Sequence, residues 1–257
     1  MPDRPVALVT GASSGIGKDL ARVFARENHD LVIVARGEER LRALAGELPS
    51  TKVTVIPADL GAPGAPAEIF AACEAAGVTV DVLVNNAGFG SNGAFLDLDL
   101  EREAQMVDVN CTALLRLTHL FGKGMRARGR GKILNVGSTA GFQPGPFMAT
   151  YYASKAFVVS FSEALSDELA GTGVTVTCLC PGPVATEFAD RAGNARSKLF
   201  QSTKVASSAE IAEFAYQATM RGQLLAIPTL MQRLQFQSLR VAPRSVVRGI
   251  AARLNRS

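Results

Sequence analysis

The chain has 257 residues, 47% of them hydrophobic and 19% charged, with 24 glycines and no tryptophan. That balance supplies a sizeable core and excludes the disordered class, in which few apolar residues accompany many charges. The formal net charge of +4 is unevenly placed: from Leu224 to Ser257 there are six arginines and no Asp, Glu or Lys, which leaves 21 basic against 23 acidic residues elsewhere. The body of the chain therefore offers no basic nucleic-acid surface.

The N-terminal "MPDRPVALVTG" runs straight into an apolar strand pattern without a secretory leader's basic and apolar regions. No stretch approaches a membrane span, so a cytoplasmic location is expected. The cysteines Cys73, Cys111, Cys178 and Cys180 form no CxxC pair or metal spacing. Cys178 and Cys180 alternate on a strand and are expected to share one buried face as small hydrophobes. With only His29 and His119 in the chain, a zinc site or Ser-His-Asp triad has little to draw on.

Strand and helix patterns then alternate. "VALVT" (6–10) reads as a strand, followed by a glycine-rich turn and a helix over 15–28. "DLVIVA" (30–35) is a second strand before the helical "EERLRALAGEL", and "KVTVIPADL" a third before a helix over 67–76. "VDVLVNNAG" is the fourth strand, a long helical region covers 101–128, and "GKILNVGS" is the fifth strand. A helix containing "TYYASKAFVVSFSEAL" (150–165) precedes strand six, "GVTVTCLCPG", and a short seventh, "QLLAIP". Near-continuous apolar strands separated by helices predict a parallel sheet covered on both faces. Right-handed crossovers would make it a single doubly wound α/β domain, Rossmann-like, with seven parallel strands. That domain is expected over 1–228, with a basic helical extension over 229–257 packed on or appended to it.

"TGASSGIG" (10–17) lies between strand one and helix one. Gly11 suits a tight turn, and Gly15 and Gly17 suit close backbone approach to a pyrophosphate, with Ser13, Ser14 and Ile16 between them. The helix N-terminus adds free N–H groups and a positive dipole end, so a dinucleotide site is expected. The tip of strand two bears Ala35 and Arg36 in place of the carboxylate that would hold the ribose 2′-OH of NAD. Arg36 suits a 2′-phosphate, which predicts NADP(H) over NAD(H). Glu38 and Glu39 fit the first turn of the next helix.

In "YYASK" (151–155), Tyr151 and Lys155 stand at i and i+4, and Tyr152 and Lys155 at i and i+3. The angular offsets, roughly 40° and roughly 60°, do not separate the two tyrosines.

Taken together, "TGASSGIG", "NNAG" (85–88), "VDVN" (107–110), "NVGS" (135–138), "YYASK" and "PGPVATEF" (181–188) come in the order and spacing of the short-chain dehydrogenase/reductase family. Over nearly its whole length the chain resembles that family, and within it the NADP-dependent bacterial carbonyl and ketoacyl-type reductases. The resemblance selects Tyr151, in the YxxxK spacing, as the proton donor or acceptor. It implies that Lys155 lowers the phenol pKa and binds the nicotinamide ribose, and that Ser138 hydrogen-bonds the substrate oxygen. Asn110 would anchor a water that passes protons to the lysine. It also implies cofactor contacts at Asn86, Ala87 and Gly88, an adenine-contacting pair in Asp59 and Leu60, and nicotinamide contacts at Val184 and Thr186, with Pro181 and Gly182 shaping the turn. The implied activity is hydride transfer between NADP(H) and a carbonyl or secondary alcohol, in a homo-oligomer (dimer or tetramer).

Substrate choice is expected in the loops 88–95 and 141–150 and in the segment 188–204, read as a lid. Phe89, Phe142, Phe147, Met148, Phe188, Leu199 and Phe200 predict a largely apolar small-molecule carbonyl substrate. In the tail, Arg240, Arg244 and Arg248 recur at fours beside an expected apolar face of Val246, Val247, Ile250 and Leu254. Docking on the body or a subunit is the favoured reading, with weak membrane-surface contact the alternative. For the whole chain, the alternative to an enzyme is a dinucleotide-binding redox sensor or partner-binding protein with little turnover. An epimerase or dehydratase on the same fold would want further acid/base groups.

Overall fold

The computed structural model describes residues 4–188, 205–239 and 241–256. The expected lid, with Leu199 and Phe200, falls almost wholly outside the described residues, as does Arg240. Five long strands and two short ones form one parallel sheet. They are β1 (Val6–Thr10), β2 (Asp30–Ala35), β3 (Val53–Pro57), β4 (Val82–Asn85), β5 (Gly131–Val136), β6 (Val174–Leu179) and, after two short paired strands, β9 (Leu225–Ala226). The order across the sheet is β3-β2-β1-β4-β5-β6-β9, every pairing parallel. The short strands β7 (Val184–Ala185) and β8 (Ala206–Ser207) pair separately.

The alternation of side chains explains why the strands are largely apolar on both faces. Ala7, Val9, Leu31 and Ile33 point to one face, beneath α1 (Gly15–Arg26), α2 (Glu38–Gly46) and α7 (Ser208–Met220). Leu8, Val32, Val34 and Leu83 point to the other, beneath α3 (Ala65–Ala75) and α5 (Leu114–Ala127). With helices on both sides, a polar residue at either parity loses water and is tolerated only where it finds a buried partner. Cys178 and Cys180 share a face as expected, their sulfurs 3.6 Å apart and buried among Val158, Val159 and Ile227.

The long helical region differs from the continuous helix expected. It is α4 (Leu100–Val107), then a π-helical turn over Asp108–Ala113, then α5. Asn110 sits in that turn and its side-chain amide donates to the Phe89 carbonyl and to Ser154 Oγ, both at 3.0 Å. Those bonds tie the widened turn to the loop after β4 and to α6 (Ala149–Glu168).

The tail forms α8 (Leu230–Leu239) and α9 (Arg244–Asn255), broken before Pro243. The expected apolar face is rotated. Val247, Ala251 and Asn255, at i, i+4 and i+8, are buried, whereas Val246 and Ile250 are 53% and 54% exposed. Among the described residues no helix is long and apolar enough to cross a membrane.

A polar ladder runs through the middle of the sheet. Asn85 Nδ2 donates to Thr118 Oγ1 and to Asn135 Oδ1, both at 2.9 Å, and Asn135 Nδ2 donates to Ser162 Oγ at 2.9 Å. Asn135 and Ser162 are fully buried. Asn135→Ala strands two of these groups, and we expect a loss of about 2–3 kcal/mol. In thermal denaturation that is a drop of roughly 4–12 °C for a domain of this size. A midpoint within one degree of wild type would mean water replaces the ladder.

Candidate active site

The carboxyl ends of β1 and β4 diverge at the point where the strand order reverses, which opens a crevice in a sheet of this topology. Thr10 closes its floor. Its buried hydroxyl donates to the Val84 carbonyl and accepts from the amides of Asn86 and Ala87. Asn86 answers with its side-chain amide on the Thr10 carbonyl at 2.8 Å. Above this knot the chain turns through Gly11 at φ +67°, where a side chain would meet Asn86 and Ala87. α1 then begins at Gly15, and its N-cap Ser14 makes no side-chain capping bond, so the first amides remain available to an anion.

A continuous cleft of about 1200 Å³ runs from this turn to the start of α6. Gly11, Ser13, Ser14, Gly15 and Ile16 line one end, with Arg36 at the tip of β2 and Asp59 and Leu60 after β3. Asn86, Ala87 and Gly88 form the floor, and Pro181, Gly182, Val184 and Thr186 the opposite bank. Ser138, Tyr151 and Lys155 stand at the far end. Two of the expected site residues do not line the cleft. Gly17 is buried beneath the turn, where a Cβ would lie 2.3 Å from Asn86 Nδ2 and 2.4 Å from the Gly11 carbonyl oxygen. Its lack of a side chain serves the packing of α1 on the turn. Asn110 is 2% exposed and its side chain is committed to Phe89 and Ser154. It still borders the lysine through Gly88, whose Cβ would lie 2.9 Å from Asn110 Oδ1 and 3.6 Å from Lys155 Nζ.

The two adjacent tyrosines have different partners. Tyr152 is buried, and its hydroxyl donates to Asn255 Oδ1 at 3.2 Å. Tyr151 faces Ser138 and packs against Phe188, ring centroids 5.3 Å apart. Lys155 Nζ lies 5.8 Å from the Tyr151 ring centroid and donates to the Val136 carbonyl at 2.8 Å. Ser138 caps a short turn by accepting from the Ala140 amide at 3.1 Å. Burial pushes Tyr151 up to about 12, against the smaller opposing pull of the Ser138 hydroxyl. Burial also pulls Lys155 down to about 8. A phenol so placed is held protonated beside a hydroxyl, an arrangement suited to donating a proton and a hydrogen bond to one oxygen atom.

Arg36 is exposed on the cleft wall, while Glu38 is paired with Arg42 at 2.8 Å. Arg40, which the sequence reading did not single out, also lines the cleft and pairs with Glu187 at 3.4 Å. It lies one turn beyond Arg36, a spacing that was visible. Of the expected substrate-side residues, Phe89, Phe142, Met148 and Phe188 line the cleft, and Phe147 does not. Phe236, Leu239, Ala251 and Leu254 of the tail line it as well. Of these, Leu254 was on the apolar face expected from the sequence, whereas Phe236, Leu239 and Ala251 were not singled out.

The free amides at the start of α1 and the side-chain-free cradle at Gly11 fit a dinucleotide pyrophosphate. Among the described residues no cluster of three His, Cys, Asp or Glu could hold a metal ion.

Residues 5–197 match the family model described as short chain dehydrogenase. A putative ketoacyl reductase from Streptomyces coelicolor is 43% identical over 192 residues, which cover 73% of each chain. Among solved structures, a short-chain dehydrogenase from Sphingobium yanoikuyae in complex with NADPH superposes with a TM-score of 0.84 at 35% identity, covering 94% of both chains. The bulky-bulky ketone specific alcohol dehydrogenase from Comamonas testosteroni superposes with a TM-score of 0.80 at 33% identity, covering 94% of this chain and 93% of that one. With the reversed strand order, the glycine turn and the Ser–Tyr–Lys group at one cleft, these likenesses establish that the chain is a member of the short-chain dehydrogenase/reductase family of oxidoreductases.

Proposed function

We propose that this chain is an NADP(H)-dependent reductase of a largely apolar ketone or ketoacyl compound, with Tyr151 as the proton donor. The observation that carries the reading is the protonated Tyr151 phenol facing Ser138, at the apolar end of a cleft whose other end presents free helix amides. The NADPH complex of the Sphingobium relative and the ketoacyl reductase named among the Streptomyces relatives support it.

The dinucleotide, when bound, supplies a hydride to the carbonyl carbon. The chain's residues do the rest. The amides of Gly15 and Ile16 would hold the pyrophosphate, Asp59 and Leu60 the adenine end, and Arg36 the 2′-phosphate. Val184 and Thr186 would orient the nicotinamide. Ser138 would donate to the substrate oxygen, and Tyr151 would pass its proton to that oxygen as negative charge develops. The resulting phenolate would lie near Lys155, whose ammonium would stabilise it. Asn110 holds the loop at Phe89 against α6 and so keeps Gly88 beside the lysine.

Tyr151→Phe should lower carbonyl-dependent NADPH oxidation by roughly 10²–10⁴-fold and leave NADPH binding, read by cofactor fluorescence, unchanged. NADPH binding by wild type without turnover of any carbonyl in a ketone and ketoacyl panel would favour the sensor alternative.

Arg36→Ala should weaken NADPH binding by about 10–100-fold, the worth of a charge-assisted contact, with little change for NADH. Equal weakening of both would remove Arg36 from the 2′-phosphate.

The kcat/KM for NADPH, which reports the free protein, should be flat below neutrality and fall as pH rises through about 8, where Lys155 loses its charge. The phenol remains protonated until about 12, so it adds no second limb below that. A profile flat to pH 10 would show that the charge on Lys155 is not required.

A further inference from the structure

The last residues of the chain are fastened to the mouth of the cleft by one side chain. Asn255 is 1% exposed. Its Nδ2 donates to the Pro146 carbonyl at 3.1 Å, its Oδ1 accepts from the Tyr152 hydroxyl at 3.2 Å, and its main-chain carbonyl accepts from Asn92 Nδ2 at 2.9 Å. These partners lie 109, 103 and 163 residues away in sequence. They belong to the loop after β5, the first turn of α6 and the loop after β4. Every polar group of the buried amide is therefore used, and each bond crosses between separate elements.

The segment so fastened is strained. Phe147 adopts φ +66°, in the left-handed region that a phenylalanine seldom enters. Its carbonyl accepts from the Gly93 amide at 2.8 Å, and Arg256 stands over its ring at 5.3 Å from the centroid. The neighbouring Gly145 lies flat on the Tyr152 ring, where a Cβ would fall 2.2 Å from the ring carbon Cγ. A strained conformation persists where its surroundings over-determine it. Here Asn255 and Arg256 provide part of that determination. Tyr151, the residue before Tyr152, carries the proposed acid.

The same helix walls the cleft. Ala251 and Leu254 line it on the side of Met148 and Tyr152.

We propose that Asn255 is a positioning residue for substrate selection. By clamping α9 to Pro146 and Tyr152 it fixes an apolar wall, through Ala251 and Leu254, that favours bulky apolar carbonyl substrates over small ones. The inference rests on the reductase reading above for its catalytic readout. It has a second readout that does not.

The first measurement compares kcat/KM for propiophenone and for 2-butanone, with NADPH, in the full-length wild type and in Asn255→Ala. We expect the propiophenone-to-butanone ratio to fall about tenfold, the scale on which an apolar pocket discriminates by shape. The change should appear in KM for propiophenone, with NADPH binding unaltered. Tyr152→Phe, which removes one of the bonds and keeps the ring, should shift the ratio in the same direction. Combined with Asn255→Ala it should add little, because both act through one contact. Equal losses for the two ketones, or an unchanged ratio, would overturn the proposal.

The second measurement is amide hydrogen exchange across residues 91–95. Loss of the clamp should speed exchange of the Gly93 amide, bonded to the Phe147 carbonyl, by roughly tenfold or more as the loop opens locally. If wild type reduces no ketone the reductase reading fails, and exchange alone then decides whether the clamp exists. Unchanged exchange at Gly93 in Asn255→Ala would overturn it.

Discussion

The knot between the ends of β1 and β4 is the constraint on which the rest of the cleft depends. Parallel strands deliver all their carboxyl ends to one edge of the sheet, but adjacent loops must part there to make room for a ligand. Thr10 and Asn86 let them part without fraying. One threonine hydroxyl donates to β4 and receives two amides from the loop beyond it, and one asparagine amide returns to β1. Because the Asn86 side chain occupies the space over the turn, residues 11 and 17 can carry no Cβ. The glycine turn is therefore as much a consequence of the knot as of any phosphate. The free N-terminus of α1 is aimed into the cleft because the turn beneath it cannot move.

At the other end of the cleft, desolvation outweighs hydrogen bonding. Removing a phenolate from water costs more than one serine hydroxyl returns, so Tyr151 rises to about 12, and the same burial lowers Lys155 to about 8. The two shifts carry the groups apart, the phenol up and the lysine down, so burial favours the neutral form of both. Neighbouring tyrosines at consecutive positions thereby acquire unlike environments. Tyr152 spends its hydroxyl on Asn255, while Tyr151 keeps its own toward Ser138.

What was legible in the sequence follows from the range of the interactions involved. Strands buried on both faces are largely apolar, so their succession along the chain could be read, and the strand–turn–helix context of "TGASSGIG" placed the glycine turn at one end of the cleft. Family spacing brought Ser138, Tyr151 and Lys155 to one place. What it could not reveal was which of several chemically adequate contacts each residue makes. The packing reason for Gly17 was not legible, because the Asn86 side chain it meets lies 69 residues away. The π-turn at Asn110 was invisible because an inserted residue leaves a helical apolar period almost unchanged over one turn. The tail was misphased for a related reason. Val246 and Ile250 are more apolar than Ala251 and Asn255, and hydrophobicity alone turns them inward, yet the buried hydrogen bonds of Asn255 set the rotation of α9.

That difference in range divides the cleft. The end with the free helix amides is assembled from contiguous stretches near the N-terminus, where turn geometry and helix dipole act over a few residues. The apolar end is assembled from segments as far apart as Phe89, Phe142, Phe236 and Leu254. Their proximity depends on how the whole sheet is covered, and above all on where the last helix is fastened. A single buried residue, Asn255, ties α9 to Pro146, Asn92 and Tyr152, and the loop it holds at Pro146 carries Phe147 in the left-handed region, so the placing of the apolar end rests on contacts more than 100 residues apart in sequence.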